Sequence, residues 1–300
     1  MSTYIWISFS FVAAMLWALD NILDKHILTN KLKSAHSYNL LTNMNDILPV
    51  ILIPLFARVH FDPVFSVVAL LFGALTVVSL IFYNKAIIEE EASRIASLEW
   101  ISPIFVAILS FVLFGEKLSF LGYWGILLIV IGAFVISHKK QKKIVISRAI
   151  GFIIIFSFLF AIGDIISDYS FNYIDFWSFF FWASIGSVIS SLSLLGFPKI
   201  RREFWADMQI MKMKAFLMIL VVSILYYIAE IFFYAALSLG PVSLVVAIVA
   251  TQPMFTFVYA LGLSLYKPEF LKEQFDGFNI ATKLLGIIII ICGASLITIF

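Results

Sequence analysis

The sequence predicts an all-α integral membrane protein with ten transmembrane helices, arranged as two inverted repeats of five helices. Three observations lead to this fold class. Apolar residues make up 63% of the 300-residue chain and charged residues only 13%, a composition outside the range of soluble domains. The apolar residues fall into ten runs of membrane-spanning length. Features of the first five runs return in the last five.

Each run is long enough to cross a bilayer, which requires about 20 mostly apolar residues per helix. Charged or turn-forming residues separate the runs and set their predicted bounds. The predicted helices are 4–24, 38–57, 64–86, 94–114, 119–137, 147–168, 175–197, 215–238, 242–265 and 283–300. The first run lacks the basic start of a signal peptide, so we expect it to remain as a helix. The connections are short, so we expect no soluble domain between the helices.

Matches between the two halves indicate a duplication. An offset of 150 residues places Pro103 on Pro253. In the next helix the offset is 161, and the aligned pairs are Gly125 with Gly286 and Gly132 with Gly293. Five helices per half is an odd number, so the halves must enter the membrane from opposite sides. The predicted units are a first repeat over 1–138, a basic linker over 139–146 and a second repeat over 147–300.

The segment 102–136, SPIFVAILSFVLFGEKLSFLGYWGILLIVIGAFVI, resembles the EamA-type ten-helix members of the drug/metabolite transporter superfamily. It is similar in its proline-centred fourth helix, its Gly-Glu turn at Gly115 and Glu116 and its glycine-spaced fifth helix. TQPMFTFVYALGLSLYKPEF and LLGIIIIICGASLI repeat the pattern in the second half, without the Gly-Glu turn. The resemblance covers the whole chain. It implies two EamA-like repeats that export or exchange small metabolites by alternating access, without ATP.

Lysine and arginine are divided unevenly between the two sides of the predicted membrane. Alternate loops carry 18 of the 20 basic residues, and the opposite side has only Arg58 and Lys117. The positive-inside rule then places the basic side in the cytoplasm and both termini outside. Familiar members of the superfamily have cytoplasmic termini, so the residue count and the resemblance disagree here. We expect a multi-pass protein of a bacterial-type inner membrane.

Two pairs of aspartates recur in the two repeats. WALDNILDK carries Asp20 and Asp24 in the first helix, and AIGDIISDY carries Asp164 and Asp168 in the sixth. A spacing of four puts both members of a pair on one helix face. With the predicted helix bounds, Asp20 lies in the last turns before the cytoplasm and Asp164 lies near the outer face. Each pair is predicted to gate a path or to bind a proton. The alternative is that it simply ends a helix at the interface.

Other charged residues supply candidate partners for these aspartates. The candidates for a charge-compensated cluster with Asp20 are Asn43, Asp46, Lys85 and Glu99. Lys85 is the one basic residue so placed, which makes an ion-pair gate or a structural ion pair the two interpretations. Glu230 in the eighth helix is predicted to approach Asp164. Carboxylates inside a membrane are costly and usually functional, so these two are the candidates for proton coupling. A hydrogen-bonded structural role is the alternative for Glu230.

Prolines in the fourth and ninth helices mark the expected substrate site. Pro103 and Pro253 each remove a backbone hydrogen bond and free a carbonyl group one turn earlier. In inverted-repeat transporters, broken helices at the midplane build the substrate site. The predicted cavity residues are Trp17, Tyr83, Glu99, Trp100, Pro103, Tyr234, Gln252 and Pro253. Trp100 is predicted to form a stacking wall and Gln252 to supply hydrogen bonds, while a kink without a ligand is the alternative.

The residue types argue against several other functions. Cys292 is the only cysteine and the four histidines lie far apart, so no disulfide, zinc site or nucleophile pair is predicted. We expect no catalytic residues, no enzyme activity, no cofactor, no metal and no nucleic-acid partner. The predicted function is a secondary-active transporter, monomeric or homodimeric, for a small organic metabolite such as an amino acid or amine. Proton coupling is left open.

Two alternatives to this function remain. One is a non-transporting membrane protein, either an assembly partner or a lipid-modifying enzyme. The other is an exchanger of nucleotide sugars or phosphates, which Lys85 as a single cavity cation makes weaker.

Overall fold

The computed structural model describes residues 4–32, 34–89, 95, 98–137, 148–266 and 277–298. Within these ranges the regular secondary structure is helical, as predicted. Seven helical segments of the described chain are long and apolar enough to cross a membrane. Shorter apolar helices cover Ser102–Phe114, Phe120–Val135 and Ile280–Leu296. The predicted basic linker over 139–146 lies outside the described residues.

The α-helices are numbered here in chain order. Those of the first half are α1 (Ile5–Asn30), α2 (Ala35–Met44), α3 (Ile47–Phe56), α4 (Phe65–Glu89), α5 (Ser102–Phe114) and α6 (Phe120–Ser137). Those of the second half are α7 (Arg148–Ser170), α8 (Phe176–Ser193), α9 (Pro198–Ile210), α10 (Met213–Leu237), α11 (Val242–Val249), α12 (Gln252–Tyr266) and α13 (Gly277–Thr298).

The first helix is longer than the sequence predicts. Lys25 was expected to end it, but α1 continues to Asn30. The Lys25 ammonium donates to the carbonyl oxygen of Ile87 at 2.6 Å, near the C-terminal end of α4 where carbonyl groups lack helical partners. A long lysine stem lets such a charge lie along apolar surface. The expectation that Asp20 lies in the last turns of its helix is therefore wrong. Asp20 lies about 15 Å before the end of α1, at a rise of about 1.5 Å per residue.

Three of the predicted membrane segments are broken. The second consists of α2 and α3, which are separated at Asn45 and Asp46. The ninth consists of α11 and α12, and the fourth enters α5 through a 3-10 turn over Glu99–Ile101. Pro103 and Pro253 are the second residues of α5 and α12, rather than kinks inside continuous helices. A proline costs little in a first helical turn, because the N–H that it lacks has no helical partner there.

Two helix pairs pack so closely that glycine is required at the contact. In α4 and α8, a Cβ atom on Gly73 would lie 1.9 Å from the carbonyl oxygen of Ala183, and one on Gly186 would lie 2.0 Å from that of Leu70. In α6 and α13, a Cβ atom on Gly132 would lie 2.7 Å from the carbonyl oxygen of Gly286. The second contact joins the two halves of the chain.

The connection between α8 and α10 contains a helix that the sequence analysis missed. In α9, charged residues interrupt the apolar ones, and its 13 residues are too few to form a span. The carboxylates of Asp207 and Glu203 accept hydrogen bonds from the backbone N–H and the hydroxyl of Ser34, at 3.1 and 2.8 Å. These bonds hold α9 against the start of α2, while Trp205 stays exposed.

Candidate substrate cavity

A cavity lies among α1, α2, α4, α7 and α10. Its carboxylate and amide lining residues are Asp20, Asn21, Asp24, Asn43, Asp46, Asn84, Glu99 and Gln252. Its aromatic lining residues are Trp17, Tyr38, Tyr83, Phe156, Phe160, Tyr226 and Tyr227. The positions come from the C-terminal parts of α1 and α4 and the middle of α7 and α10. The cavity therefore extends from mid-helix depth towards the side that carries most of the basic loops.

Helix geometry explains why these side chains share the cavity. Asp20 and Asp24 are four residues apart on α1 and share a face, and Asn21 beside them also lines the cavity. Tyr38 and Thr42 are four residues apart on α2 and form a second wall. The break between α2 and α3 brings Asp46 to the same space. Each wall thus comes from one helical face or from a helix interruption.

A chain of side-chain hydrogen bonds joins the walls of the cavity. The Tyr38 hydroxyl donates to a carboxylate oxygen of Asp24. The Asn21 amide donates to Oε1 of Glu99 at 3.3 Å, and the Tyr83 hydroxyl donates to Oδ1 of Asn21 at 2.9 Å. These bonds connect α1 with α2, with α4 and with the turn before α5. They satisfy two of the buried carboxylates from within the protein.

Asp20 differs from its neighbours in having a fully buried carboxylate oxygen without a hydrogen-bond partner. Its side chain is only 6% exposed, and Oδ1 has no hydrogen-bond partner in the described structure. The carboxylates of Asp24, Glu99 and Glu230 lie within electrostatic range of it. The indole N–H of Trp17, one turn earlier on α1, is also buried without a partner. An unsatisfied buried carboxylate among other acids is costly, which points to a proton or a ligand as its partner.

Glu230 connects the acids of the two halves. It is 5% exposed on α10, and Tyr226 and Tyr234 lie near its carboxylate. Its charge acts on Asp20 on one side and on Asp164 of α7 on the other. Asp164 is buried but does not line the cavity. Glu230 thus lies within electrostatic range of both Asp20 and Asp164.

Lys85 is not part of the cavity lining. Its ammonium lies 5.9 Å from the centre of the Phe152 ring on α7. The neighbouring Tyr83 and Asn84 face the cavity. One further residue along a helix turns a side chain by about 100°, which directs Lys85 towards α7 instead. The expected cluster of Asp20, Asn43, Asp46 and Glu99 therefore shares one cavity, but its expected cation lies elsewhere.

The other predicted cavity residues divide into two groups. Those that line the cavity are Trp17, Tyr83, Glu99 and Gln252. Pro103 and Pro253 are buried at the starts of α5 and α12 but do not line it. The side chain of Trp100 lies outside what the structure describes.

Tyr234 lies beside the cavity rather than in its wall. Its ring is surrounded by the rings of Phe72, Phe171 and Phe179, with centroids 6.1 to 6.3 Å away. Phe72 lies on α4, Phe179 lies on α8, and Phe171 lies in the turn between α7 and α8. Tyr234 therefore belongs to the aromatic packing among these elements.

Several lining residues were not singled out from the sequence, among them Asn21, Asn84, Tyr38, Tyr226 and Tyr227. The two asparagines carried a usable signal, because polar side chains inside apolar spans usually face a bundle interior. The three tyrosines carried none, since 17% of the chain is aromatic and most such residues face lipid or packed helices.

Comparisons with known proteins support the resemblance seen in the sequence. Residues 4–138 match the model of the EamA-like transporter family, which belongs to the drug/metabolite transporter superfamily. No curated protein matches the chain at a significant level. Twenty-nine solved chains do match. One, titled "Crystal structure of protein", has a TM-score of 0.70 at 15% identity over 99% of this chain and 96% of the other.

At that identity the structural likeness shows a shared fold and nothing more. The family match confirms the resemblance, and together with the apolar helices it establishes an integral membrane protein. Residues 4–138 of this chain are therefore similar to the EamA-like transporter family.

Proposed function

We propose that the protein is a secondary-active transporter that moves a small organic metabolite, such as an amino acid or amine, by alternating access. In this proposal ten transmembrane helices form two inverted five-helix repeats in a bacterial-type inner membrane, with both termini outside. The main support is a difference between two helix contacts. The proposed repeat makes the contact of α4 with α8 equivalent to that of α10 with α2 and α3, but the two are built differently.

The contact between α6 and α13 supports the inverted repeat. The offset of 161 places Gly132 on Gly293 and Gly125 on Gly286. A Cβ atom on Gly132 would meet the carbonyl oxygen of Gly286 at 2.7 Å, and one on Gly293 would meet that of Gly125 at 2.7 Å. Reciprocal contacts of this kind are what a two-fold axis between equivalent elements produces.

The contact between α4 and α8 has an equivalent that is built differently. The offset of 150 places Gly73 on Ser223 of α10, and the partner of α10 is then the α2–α3 segment. Gly73 and Gly186 allow backbone contact between α4 and α8. In the equivalent place, the Asn45 amide donates to the Ser223 hydroxyl at 2.7 Å, and the cavity lies between α2 and α10. One contact is closed and its counterpart borders a cavity.

Alternating access explains this difference, because it exchanges the two arrangements between the repeats. In the opposite state, α2 would close on α10 and α4 would separate from α8. The Asn45 to Ser223 hydrogen bond is a contact that can be made and broken during such a motion. A non-transporting membrane protein has no need for two unequal versions of one contact.

The acidic residues favour coupling to protons. Asp20, Glu230 and Asp164 lie on α1, α10 and α7, and each acts electrostatically on the next. These three acids extend from the cavity towards the aromatic side chains packed around Tyr234. A phosphate-type substrate is disfavoured, because the described cavity lining contains four carboxylates and neither lysine nor arginine.

Transport in proteoliposomes tests the proposal. Liposomes that contain the wild type, Asp164→Asn or Glu230→Gln are loaded with labelled amino acids or amines. Efflux is followed with and without a pH gradient. Asp175→Asn is the matched control, since Asp175 is an exposed N-cap of α8 and asparagine also caps well. We expect the gradient to accelerate efflux from the wild type and the control but not from the other two variants.

Two results would contradict the proposal in different ways. Efflux no faster than from protein-free liposomes for every solute contradicts transport. Protein-dependent efflux that ignores the gradient contradicts proton coupling and leaves transport intact.

A further inference from the structure

We infer, on the basis of the proposed transport function, that the cavity takes an organic cation without a carboxylate group, and that Asp20 binds its ammonium group. The substrate class is then narrower than amino acids and amines together. Three properties of the cavity carry this inference: the sign of its charges, the free oxygen of Asp20 and the aromatic walls.

The charged side chains among the described lining residues are all acidic. The carboxyl groups are Asp20, Asp24, Asp46 and Glu99, and no lysine, arginine or histidine accompanies them among the described lining residues. An ammonium group entering this space meets only opposite or neutral partners. An amino acid would bring its own carboxylate into a site that offers it no cation. Placing the carboxylate of an amino acid beside these acids, away from water, strongly disfavours its binding.

Among the lining carboxylates, Asp20 supplies the acceptor for the ammonium group of the ligand. Asp24 is occupied by the Tyr38 hydroxyl, and one oxygen of Glu99 is occupied by the Asn21 amide. Oδ1 of Asp20 is buried without a hydrogen-bond partner in the described structure, although Asp20 lines the cavity. Buried polar atoms are nearly always satisfied, so an orphaned buried carboxylate oxygen on a residue that lines the cavity marks the place for a donor.

The aromatic lining favours an organic cation over an inorganic one. The rings of Trp17 and Tyr226 lie 6.4 Å apart, and those of Tyr83 and Phe156 lie 5.3 Å apart. Aromatic faces attract an ammonium group and pack against a hydrocarbon body. A bare metal ion needs a shell of oxygen ligands instead. In the described residues, no group of three or more acidic, histidine or cysteine side chains is arranged to hold one.

Matched ligand pairs test the inference directly. Tyramine and tyrosine differ only in the carboxylate, and so do agmatine and arginine. Each compound is titrated calorimetrically into the purified full-length protein. We expect each amine to bind at least about tenfold more tightly than its amino acid, the discrimination typical of a charge juxtaposed with like charges.

Variants then test the residue. Asp20→Asn keeps the size and shape of the side chain and removes its charge, and we expect it to weaken amine binding by about tenfold or more. Asp175→Asn, far from the cavity, should bind amines like the wild type. The comparison of amine with amino acid on the wild type does not depend on whether Asp20→Asn folds.

The outcomes separate this inference from the proposed function. Amino acids that bind as well as their amines, or amines that do not bind at millimolar concentration, overturn the cation assignment, even where transport is found. Unchanged amine binding by a folded Asp20→Asn variant overturns the role of Asp20. Tight amine binding without any flux in proteoliposomes supports the cation site and contradicts the transport function.

Discussion

Replacing Gly73 with alanine is expected to force α4 away from α8 and so to disfavour the described conformation. The new Cβ atom would lie 1.9 Å from the carbonyl oxygen of Ala183 and 2.7 Å from the backbone nitrogen of Ser187, where real Cβ atoms essentially never come within 3.0 Å. Both obstacles are backbone atoms, so no side chain can rotate away. The helices must separate locally by about 1 Å to admit the methyl group.

The energetic cost follows from overpacking a close helix contact. Extra methyl groups in well-packed interiors cost about 1 to 3 kcal/mol, and we expect the upper end because the backbone itself must move. Since 1.4 kcal/mol is tenfold in an equilibrium constant, about 3 kcal/mol corresponds to about a hundredfold shift away from this conformation. In an alternating-access protein the opposite state gains the population that this state loses.

Thiol labelling measures that shift. The single Cys292 is exposed and is first removed as Cys292→Ser, after which Ser223→Cys places a reporter in the cavity wall. If α2 closes on α10 as α4 leaves α8, a hydrophilic thiol reagent should modify the introduced thiol more slowly in the Gly73→Ala background. The labelling rate should fall by at most this hundredfold factor, and by less where the described conformation dominates in the parent protein.

Gly151→Ala is the matched control. Gly151 lies on α7, and a Cβ atom there meets no heavy atom within 4 Å, so the change adds only helix propensity, about 1 kcal/mol. The control should label like its parent and unfold at the same or a higher temperature. If Gly73→Ala labels and unfolds like Gly151→Ala, the reasoning about the α4 and α8 contact is refuted.

Three further predictions concern stability and topology. Tyr38→Phe leaves the buried Asp24 carboxylate without its donor and should lower the free energy of unfolding by about 1 to 3 kcal/mol, whereas the exposed Tyr123→Phe should leave the thermal midpoint unchanged. Gly293→Ala places a methyl group 2.7 Å from a backbone oxygen of α6 and should cost about 1 to 3 kcal/mol; an unchanged unfolding curve would contradict that packing. A reporter fused after Phe300 should report the outside, and a cytoplasmic signal would overturn the orientation drawn from the basic residues.

Much of the helical plan could be predicted, because membrane-spanning helices need long apolar runs whatever their packing. The predicted segments match the described helices within a few residues in most cases. The exceptions have local causes. The Lys25 ammonium is satisfied by the carbonyl group of Ile87, so α1 passes the residue that was expected to end it. The break at Thr251 is invisible in the hydropathy pattern because its flanks remain apolar, whereas the break at Asn45 lies in a polar stretch, 42–46, inside a predicted helix.

The acidic residues of the candidate site could be predicted from the sequence, but their hydrogen-bond partners could not. Polar residues in apolar spans tend to face inwards, so Asp20, Glu99 and Glu230 could be selected by type and position alone. Which of them is left unsatisfied depends on atoms from other helices. Asn21 reaches Glu99, Tyr38 reaches Asp24, and nothing described reaches Oδ1 of Asp20.

The sequence by itself determined that this is a helical membrane protein, and it predicted a duplication and the acids that line the candidate cavity. These properties depend on composition and spacing, which the chain carries locally. Only the tertiary structure decided that Lys85 faces Phe152, that Asp20 keeps a free oxygen and that α4 closes on α8 while α2 and α10 border a cavity. Helix rotation and helix separation decide those contacts, and both are set by packing between segments distant in the chain.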